Sequence, residues 1–327
     1  MHQGCIGVIG RGHLAIVDRD VTGEGRSMLI GIDWGGTKIE GVALDDDGTE
    51  ILRIREMTPR GDYGGCLATV RDLVDRLERE TGRGGRVGIG IPGSLAPQTR
   101  LGKGGSSTWI NGRPVEQDLR DALGRELRVE NDADCFAASE AIDGAGVGYR
   151  VVFGVIIASG TGAGVAIDGR PHHGPNNSAG EWGHSPLPYP EADEIPGEAC
   201  YCGKRGCIET FLSGYSFARE YARAGGDDLL PAQIMERRRA GDVIADATYR
   251  RWLDRAGRGL AVVVNTLDPD VFVMGGGMSN VSEIYDDLPP AIARYTFSPV
   301  YTTPIVRSVH GDSSGVRGAA WLWRDDL

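Results

Sequence analysis

Three thiols within eight residues, Cys200, Cys202 and Cys207, are the densest chemistry in this sequence, and His184 stands 16 positions before the first of them. Three thiolates and one imidazole make a closed tetrahedral set for zinc, which is a structural site rather than a catalytic one. Between the last two thiols, Gly203-Lys204-Arg205-Gly206 has a glycine at each end and can fold back on itself. A redox pair or three unligated thiols are the alternatives. Three clustered thiols cannot pair completely among themselves, and no continuous apolar run reads as an export signal, so metal is the stronger reading. Cys5, Cys66 and Cys135 are isolated, and His172-His173 reads as a solvated loop pair.

Two glycine turns come next. Asp33 precedes Gly35-Gly36-Thr37-Lys38, where glycines let backbone N–H groups approach phosphate oxygens and Thr37 and Lys38 add donors. Asp33 can hold Mg²⁺ or its water shell. Alone, this turn is as readily a plain hairpin. Its counterpart Ala158-Ser159-Gly160-Thr161-Gly162, about 125 positions later, favours a two-sided clamp on a polyphosphate. Gly88-Ile89-Gly90-Ile91-Pro92-Gly93 matches Gly-x-Gly-x-x-Gly in form, but it lies inside a strand and ends in Pro-Gly, so it lacks the dinucleotide context. No Walker A sequence occurs. Asn131-Asp132 falls where a strand gives way to a helix, and read alone it is first a helix N-cap. Its other reading is a carboxylate kept ionised by the helix dipole and placed to take a proton from a hydroxyl.

These residues need elements to hold them. Leu29 to Trp34 and Ile39 to Leu44 read as strands around the first turn, and Val151 to Ile157 and Gly164 to Ile167 as strands around the second. Val87 to Ile91, Arg128 to Glu130 and Asp270 to Met274 are further strands, the last running into Gly275-Gly276-Gly277. Apolar spacing predicts helices over 62–81, 115–127, 132–142, 214–224, 230–240, 243–267 and 314–323. Alternating strands and helices with a repeated strand–turn–strand unit predict an α/β protein of two similarly built lobes around a cleft. Residues 1 to 27 read as a loose extension or an over-long start; 28 to 130 form the first lobe, joined by the helix 314–323, and 131 to 313 the larger second lobe with the metal loop 184–207.

Glycine makes up 51 of the 327 residues, about twice the usual share, yet no Gly-X-Y period runs through them and Pro stands at 16. Collagen and low-complexity linker are therefore excluded. A net charge of -11, from 35 Lys+Arg against 46 Asp+Glu, gives no basic surface for nucleic acid. No apolar run approaches the length of a membrane span. The expectation is a cytoplasmic protein with small-molecule partners.

Taken together, the motifs resemble the ROK family of bacterial sugar kinases, with the actin-like and hexokinase-like (ribonuclease H-like) fold, and look most like its fructokinase (manno-fructokinase) branch. The matching stretches include Ile32 to Lys38, Ser107-Thr108-Trp109-Ile110-Asn111-Gly112, Glu130 to Ala133, Gly180-Glu181-Trp182-Gly183-His184, Cys200 to Lys204 and Gly206 to Phe211. They continue through Asp268 to Val271, Gly275 to Asn280 and His310 to Trp321. The resemblance implies that Asp132 is the general base of an ATP-dependent hexose kinase, one phosphorylating D-fructose at its 6-hydroxyl. It implies that Asn131, Glu181, His184 and Glu209 bind sugar hydroxyls, with His184 also on zinc. Gly35, Gly36, Thr37, Lys38, Ser159, Gly160, Thr161 and Gly162 would lie around ATP phosphates with Mg²⁺, and Gly275, Gly276 and Gly277 near the nucleoside. A homodimer is the family's usual assembly.

Two positions depart from the pattern. The second phosphate turn has Ala158 where the family usually has Gly, and Ser106 stands where the branch usually has Asn before Ser-Thr-Trp. Asn offers two donors and an acceptor, Ser one hydroxyl, so the choice of sugar is less fixed than the family. Mannose, glucose, N-acetylglucosamine and N-acetylmannosamine are the alternatives. The rivals from another class are two. One is a sugar-sensing transcriptional regulator, disfavoured because residues 1 to 27 show no helical period for a DNA-binding domain and the acidic balance argues against DNA. The other is a sugar-binding protein without catalysis, disfavoured because Asp132 and both phosphate turns are present.

Overall fold

The computed structural model describes residues 28–311 and 314–326; the extension read over 1–27 lies outside the described residues. The first half runs β1 (Met28–Trp34), β2 (Lys38–Leu44), β3 (Glu50–Met57), α1 (Tyr63–Thr81), β4 (Gly85–Ile91), the short pair β5 (Ser94–Leu95) and β6 (Gly102–Lys103), α2 (Val115–Leu123) and β7 (Leu127–Asn131). The second runs α3 (Asp132–Asp143), β8 (Val151–Ile157), β9 (Thr161–Ile167), β10 (Arg170–Pro171), α4 (Glu209–Leu212), α5 (Gly214–Arg223), α6 (Pro231–Arg239), α7 (Val243–Leu267), β11 (Val271–Gly275), α8 (Ile284–Ala293), β12 (Ile305–Arg307) and α9 (Ser314–Trp321).

Two five-stranded sheets result, ordered β3-β2-β1-β4-β7 and β10-β9-β8-β11-β12. In each, the first two pairings are antiparallel hairpins and the last two are parallel, so the same 3-2-1-4-5 plan is used twice. Period-two alternation then assigns faces. Ile30 and Ile32 of β1 join Val70, Leu73 and Leu77 of α1 in one core, while Leu29 joins Val316, Ala320 and Trp321 of α9 in another. Asp33 shares the Leu29 parity and so lies on the α9 face. The second sheet buries Phe153 and Phe272 against Trp252 and Tyr249 of α7.

The inner face of each sheet is made by missing side chains. A Cβ at Gly31 or Gly88 would lie 1.9 Å from the Val316 or Ala319 carbonyl oxygen of α9, and one at Gly164 2.0 Å from the Ala133 carbonyl of α3. Helices α3 and α9 thus press onto the two sheets and cross one another between them.

Two boundaries and one helix show where the structure departs from the sequence expectation. Helix α2 stops at Leu123, because Gly124 adopts φ 62° and its N–H bonds back to the Arg120 carbonyl, which frees Leu127 for β7. Strand β9 begins at Thr161, so Thr161 and Gly162 belong to the strand rather than the turn. Helix α8 carries Pro289 and Pro290 and was not expected from its sequence; Ile284, Leu288 and Ile292 bury its apolar face. Among the described residues no helix is long and apolar enough to cross a membrane.

Candidate active site and metal centre

Asn131 and Asp132 divide the roles that their sequence position left open. Asn131 is the N-cap: its Oδ1 accepts from the N–H groups of Ala133 and Asp134 at 2.9 and 3.1 Å, and its Nδ2 donates to the Gly93 carbonyl at 2.7 Å. Asp132 is the first helical residue, its Oδ1 accepting from the Ala133 N–H at 2.8 Å. The cap reading is therefore right for Asn131 and leaves the Asp132 carboxylate facing a cavity.

That cavity, about 390 Å³, is lined by Asn131, Asp132, Ser106, Glu181, His184 and Glu209, among others, and by the second turn from Ala158 to Gly162. Asp132, Glu181 and Glu209 supply acceptors for hydroxyl groups, and Ser106 and Asn131 supply donors. The charge of Asp132 is balanced against its surroundings. Desolvation raises its pKa most, the Glu181 carboxylate adds to that, and the Ala133 N–H pulls the other way, leaving it at about 6. Asp33 stands at about 7, raised first by burial and then by the charges of Asp132 and Glu40. Glu209 is also raised, again chiefly by burial.

Both glycine turns present backbone donors. In the first, Gly35 N–H bonds to the Lys38 carbonyl at 3.0 Å, while the N–H groups of Gly36 and Thr37 have no protein partner among the described residues. In the second, Ala158 N–H bonds to the Gly160 carbonyl at 2.9 Å and the N–H groups of Ser159 and Gly160 are likewise without one. Thr161 Oγ1 is buried in the cavity wall with no hydrogen-bond partner, a group that a ligand oxygen would satisfy. Ala158 lies outside the left-handed region, so its methyl carries no backbone strain. Lys38 is drawn to the buried Glu40 at 3.1 Å.

The glycines after β11 split in role. A Cβ at Gly275 would meet the Phe136 ring at 2.6 Å, so packing against α3 requires the missing side chain. Gly276, at φ 75°, passes against the Ile157 backbone at the end of β8, and a Cβ at Gly277 would enter open space.

At the metal loop, one donor atom from each of His184, Cys200, Cys202 and Cys207 lies within 4.8 Å of every other. Zinc bonds of about 2.3 Å to sulfur at tetrahedral angles place two sulfurs about 3.7–3.8 Å apart. Cys202 Sγ and Cys207 Sγ are 3.6 Å apart, and Cys200 Sγ is 3.5 Å from His184 Nδ1. The donor set fits zinc, with Nδ1 as the ligand nitrogen. The other ring nitrogen lies 2.9 Å from the Tyr201 hydroxyl and 3.9 Å from Glu181 Oε2, and His184 lines the same cavity as Asp132. Tyr201 also lines the cavity and was not anticipated; its place between two ligand cysteines was the signal available. His173 is no free loop residue either: its Nδ1 lies 3.1 Å from Glu130 Oε2.

A second cavity, about 500 Å³, lies behind this loop and is lined by Arg205, Arg219, Arg223, Arg251 and Arg255. Carboxylates occupy most of them. Glu194 pairs with Arg255 at 2.7 Å and with Arg258 at 2.8 Å, Glu220 with Arg255 and with Arg251, and Glu198 with Arg223 at 2.7 Å. It is an ion-pair network beneath the loop.

With two like-built sheets, a carboxylate at the α3 N-terminus and a glycine turn after the first strand of each sheet, the molecule has the design of a hexokinase-like phosphotransferase. The ROK family model matches residues 29–326. An N-acetyl-D-glucosamine kinase of Haemophilus influenzae is 36% identical over 301 residues, covering 90% of this chain and 99% of the relative. One of Pectobacterium carotovorum is 38% identical over 299 residues, covering 90% and 98%. The crystal structure of a ROK hexokinase from Thermus thermophilus superposes with a TM-score of 0.79 at 29% identity, over 92% of this chain and all of that one. The chain belongs to the ROK family, and it is a sugar kinase of that family.

Proposed function

We propose that this protein transfers the terminal phosphoryl group of ATP to a hydroxyl of a hexose, with Asp132 as general base. The observation that carries the proposal is the Asp132 carboxylate, fixed by the α3 N-terminus inside a cavity whose other wall is the second phosphate turn. Phosphoryl transfer asks the protein chiefly for positioning and charge neutralisation. The sugar hydroxyl donates its proton to Asp132 as its oxygen attacks, while Glu181 and Glu209 hold neighbouring hydroxyls. The N–H groups of Gly36, Thr37, Ser159 and Gly160 take phosphate oxygens from two sides. Asp33 is placed to hold Mg²⁺, which neutralises phosphate charge when bound. Zinc on His184, Cys200, Cys202 and Cys207 would fix the imidazole and, through Nε2, the Tyr201 hydroxyl at the sugar's edge.

N-acetyl-D-glucosamine is the first substrate to try, on the strength of the two kinases that match nearly the whole chain. D-Fructose is the second, supported by the resemblance of Ser107 to Gly112 and of the Cys200-Tyr201-Cys202 loop to the fructokinase branch. A coupled assay of ADP release with these two sugars, mannose, glucose and N-acetylmannosamine separates them. The expected result is turnover, with kcat/KM highest for one of the first two. No turnover with any of the five would overturn the catalytic reading in favour of a sugar-sensing regulator.

A further inference from the structure

We propose that Arg60 is a phosphate-binding cation of the nucleotide site, standing on the first turn and directing the Thr37 hydroxyl at the phosphates. The inference rests on the kinase reading above and adds to it a residue that no motif marks.

The segment after β3 grips the first turn at the carbonyls of Gly35, Gly36 and Thr37. Thr58 Oγ1 donates to the Gly35 carbonyl at 2.8 Å, Arg60 Nε to the Gly36 carbonyl at 3.0 Å, and Thr58 N–H to the Thr37 carbonyl at 3.0 Å. With all three carbonyls turned to this strap, the N–H groups of Gly36 and Thr37 are left for a ligand. Arg60 Nη2 also donates to Thr37 Oγ1 at 2.8 Å. An oxygen that accepts from a guanidinium has its own hydrogen to give, and the charge behind the acceptor bond strengthens that donation. Arg60 therefore sets the Thr37 hydroxyl as a donor.

The charge balance points the same way. The sugar cavity is lined by Asp132, Glu181 and Glu209 with no Lys or Arg among its lining residues, and Asp33 adds a fourth carboxyl nearby. ATP brings several more negative charges into that surrounding. Lys38 is one cation within reach of the turn, but it shares the Glu40 carboxylate with Arg53 and Arg55. Arg60 has no carboxylate within ion-pair distance among the described residues, is exposed, and is bonded to the turn itself. A guanidinium held by two of its nitrogens keeps further N–H donors in a planar fork suited to phosphate.

The test is direct ATP and adenosine binding to the zinc-loaded protein without sugar, for wild type, Arg60→Ala and Arg60→Lys, followed by steady-state kinetics. Arg60→Ala should weaken ATP binding about ten- to hundredfold and leave adenosine binding and the sugar KM within about twofold. Arg60→Lys should recover part of the ATP affinity, since an ammonium restores charge but not the fork. ATP bound equally by wild type and Arg60→Ala would overturn the proposal. So would an equal loss for adenosine, ATP and sugar, which would make Arg60 a structural tie of the turn. Wild-type protein that binds ATP but phosphorylates none of the five sugars would overturn the kinase reading and leave the Arg60 result standing; wild type that binds no ATP overturns both.

Discussion

Asp132 and Asp33 sit close enough to feel one another, and burial lifts both into the range where pH decides their charge. A general base acts as the carboxylate, so activity is lost as protons return. The expected kcat/KM profile rises with pH through about 6 to 7 and flattens above, and the apparent constants belong to the pair rather than to either residue. Asp132→Asn should lower kcat by about 10²–10⁴ with the sugar still bound. Its residual rate should titrate at lower pH, because Asp33 loses the repulsion of its neighbour. Near-normal turnover, or a profile flat down to pH 5, would remove Asp132 from the role. Part of this was legible from residue types: the Asp at a strand–helix junction, the second glycine turn and His184 of the metal set line one cavity. Tyr201 and Arg60 were not. Each reaches the site through a side-chain bond, Tyr201 to His184 and Arg60 to Thr37, and neither bond leaves a periodicity or a spacing in the sequence.

At the scale of elements, two devices carry the site, and each can be broken alone. The metal loop is short of regular structure: from Ser185 to Ile208 it holds a single 3₁₀ turn and two isolated β-bridges, Pro186 with Cys207 and Ala199 with Arg205. A few backbone bonds, such as Leu187 N–H to the Gly206 carbonyl and Cys200 N–H to the Lys204 carbonyl, and the ion pairs behind the loop hold it, and zinc on the four donors would add to them. Cys202→Ser, or chelation of the wild type, should raise the sugar KM about tenfold or more while the ATP KM changes little, because Tyr201 and His184 lie on the sugar side. Metal analysis of fresh protein showing no zinc would sink this account. The second device is the crossing of α3 and α9, where a Cβ at Gly318 would lie 1.7 Å from the Cys135 carbonyl oxygen. Gly318→Ala has to push the helices apart, so it should destabilise the fold by about 1–3 kcal/mol in denaturant titration. It should also cost activity in the protein that remains folded, since Asp132 begins α3 and Asp33 faces α9. Such glycines explain part of the excess in this sequence. They look like loop residues in composition, yet Gly31, Gly88, Gly164 and Gly318 sit inside strands and helices, and only the packing of backbone on backbone shows why.

The whole molecule is two copies of one sheet plan joined at their centre by α3 and α9 and at one edge by a second tie. Residues 172 to 178, beyond β10, reach across to the first half. Asn177 Nδ2 donates to the Leu95 carbonyl at 2.9 Å, Ser94 Oγ to the Asn177 carbonyl at 3.1 Å, and Lys103 Nζ to the Asn176 carbonyl at 2.9 Å. The β5–β6 pair that takes part in these bonds leads directly into Gly104 and Ser106 on the cavity wall, so the tie bears on the distance between the residues of the two halves that line the cavity. Asn177 holds φ 47°, a conformation that glycine adopts more freely than Asn does. Asn177→Gly therefore removes the side-chain bond without straining the backbone, which Asn177→Ala would not achieve. One neutral hydrogen bond contributes about 0.5–1.5 kcal/mol, so the expected loss of sugar affinity in Asn177→Gly is about two- to tenfold. Hydrogen exchange should quicken in residues 94 to 103 and stay as in the wild type in α3 and α9, and the ATP KM should not move. If exchange quickened evenly through both sheets, the tie would be part of the core's stability rather than a spacer between the halves. If neither exchange nor sugar affinity changed, the crossing of α3 and α9 alone would set the width of the cleft.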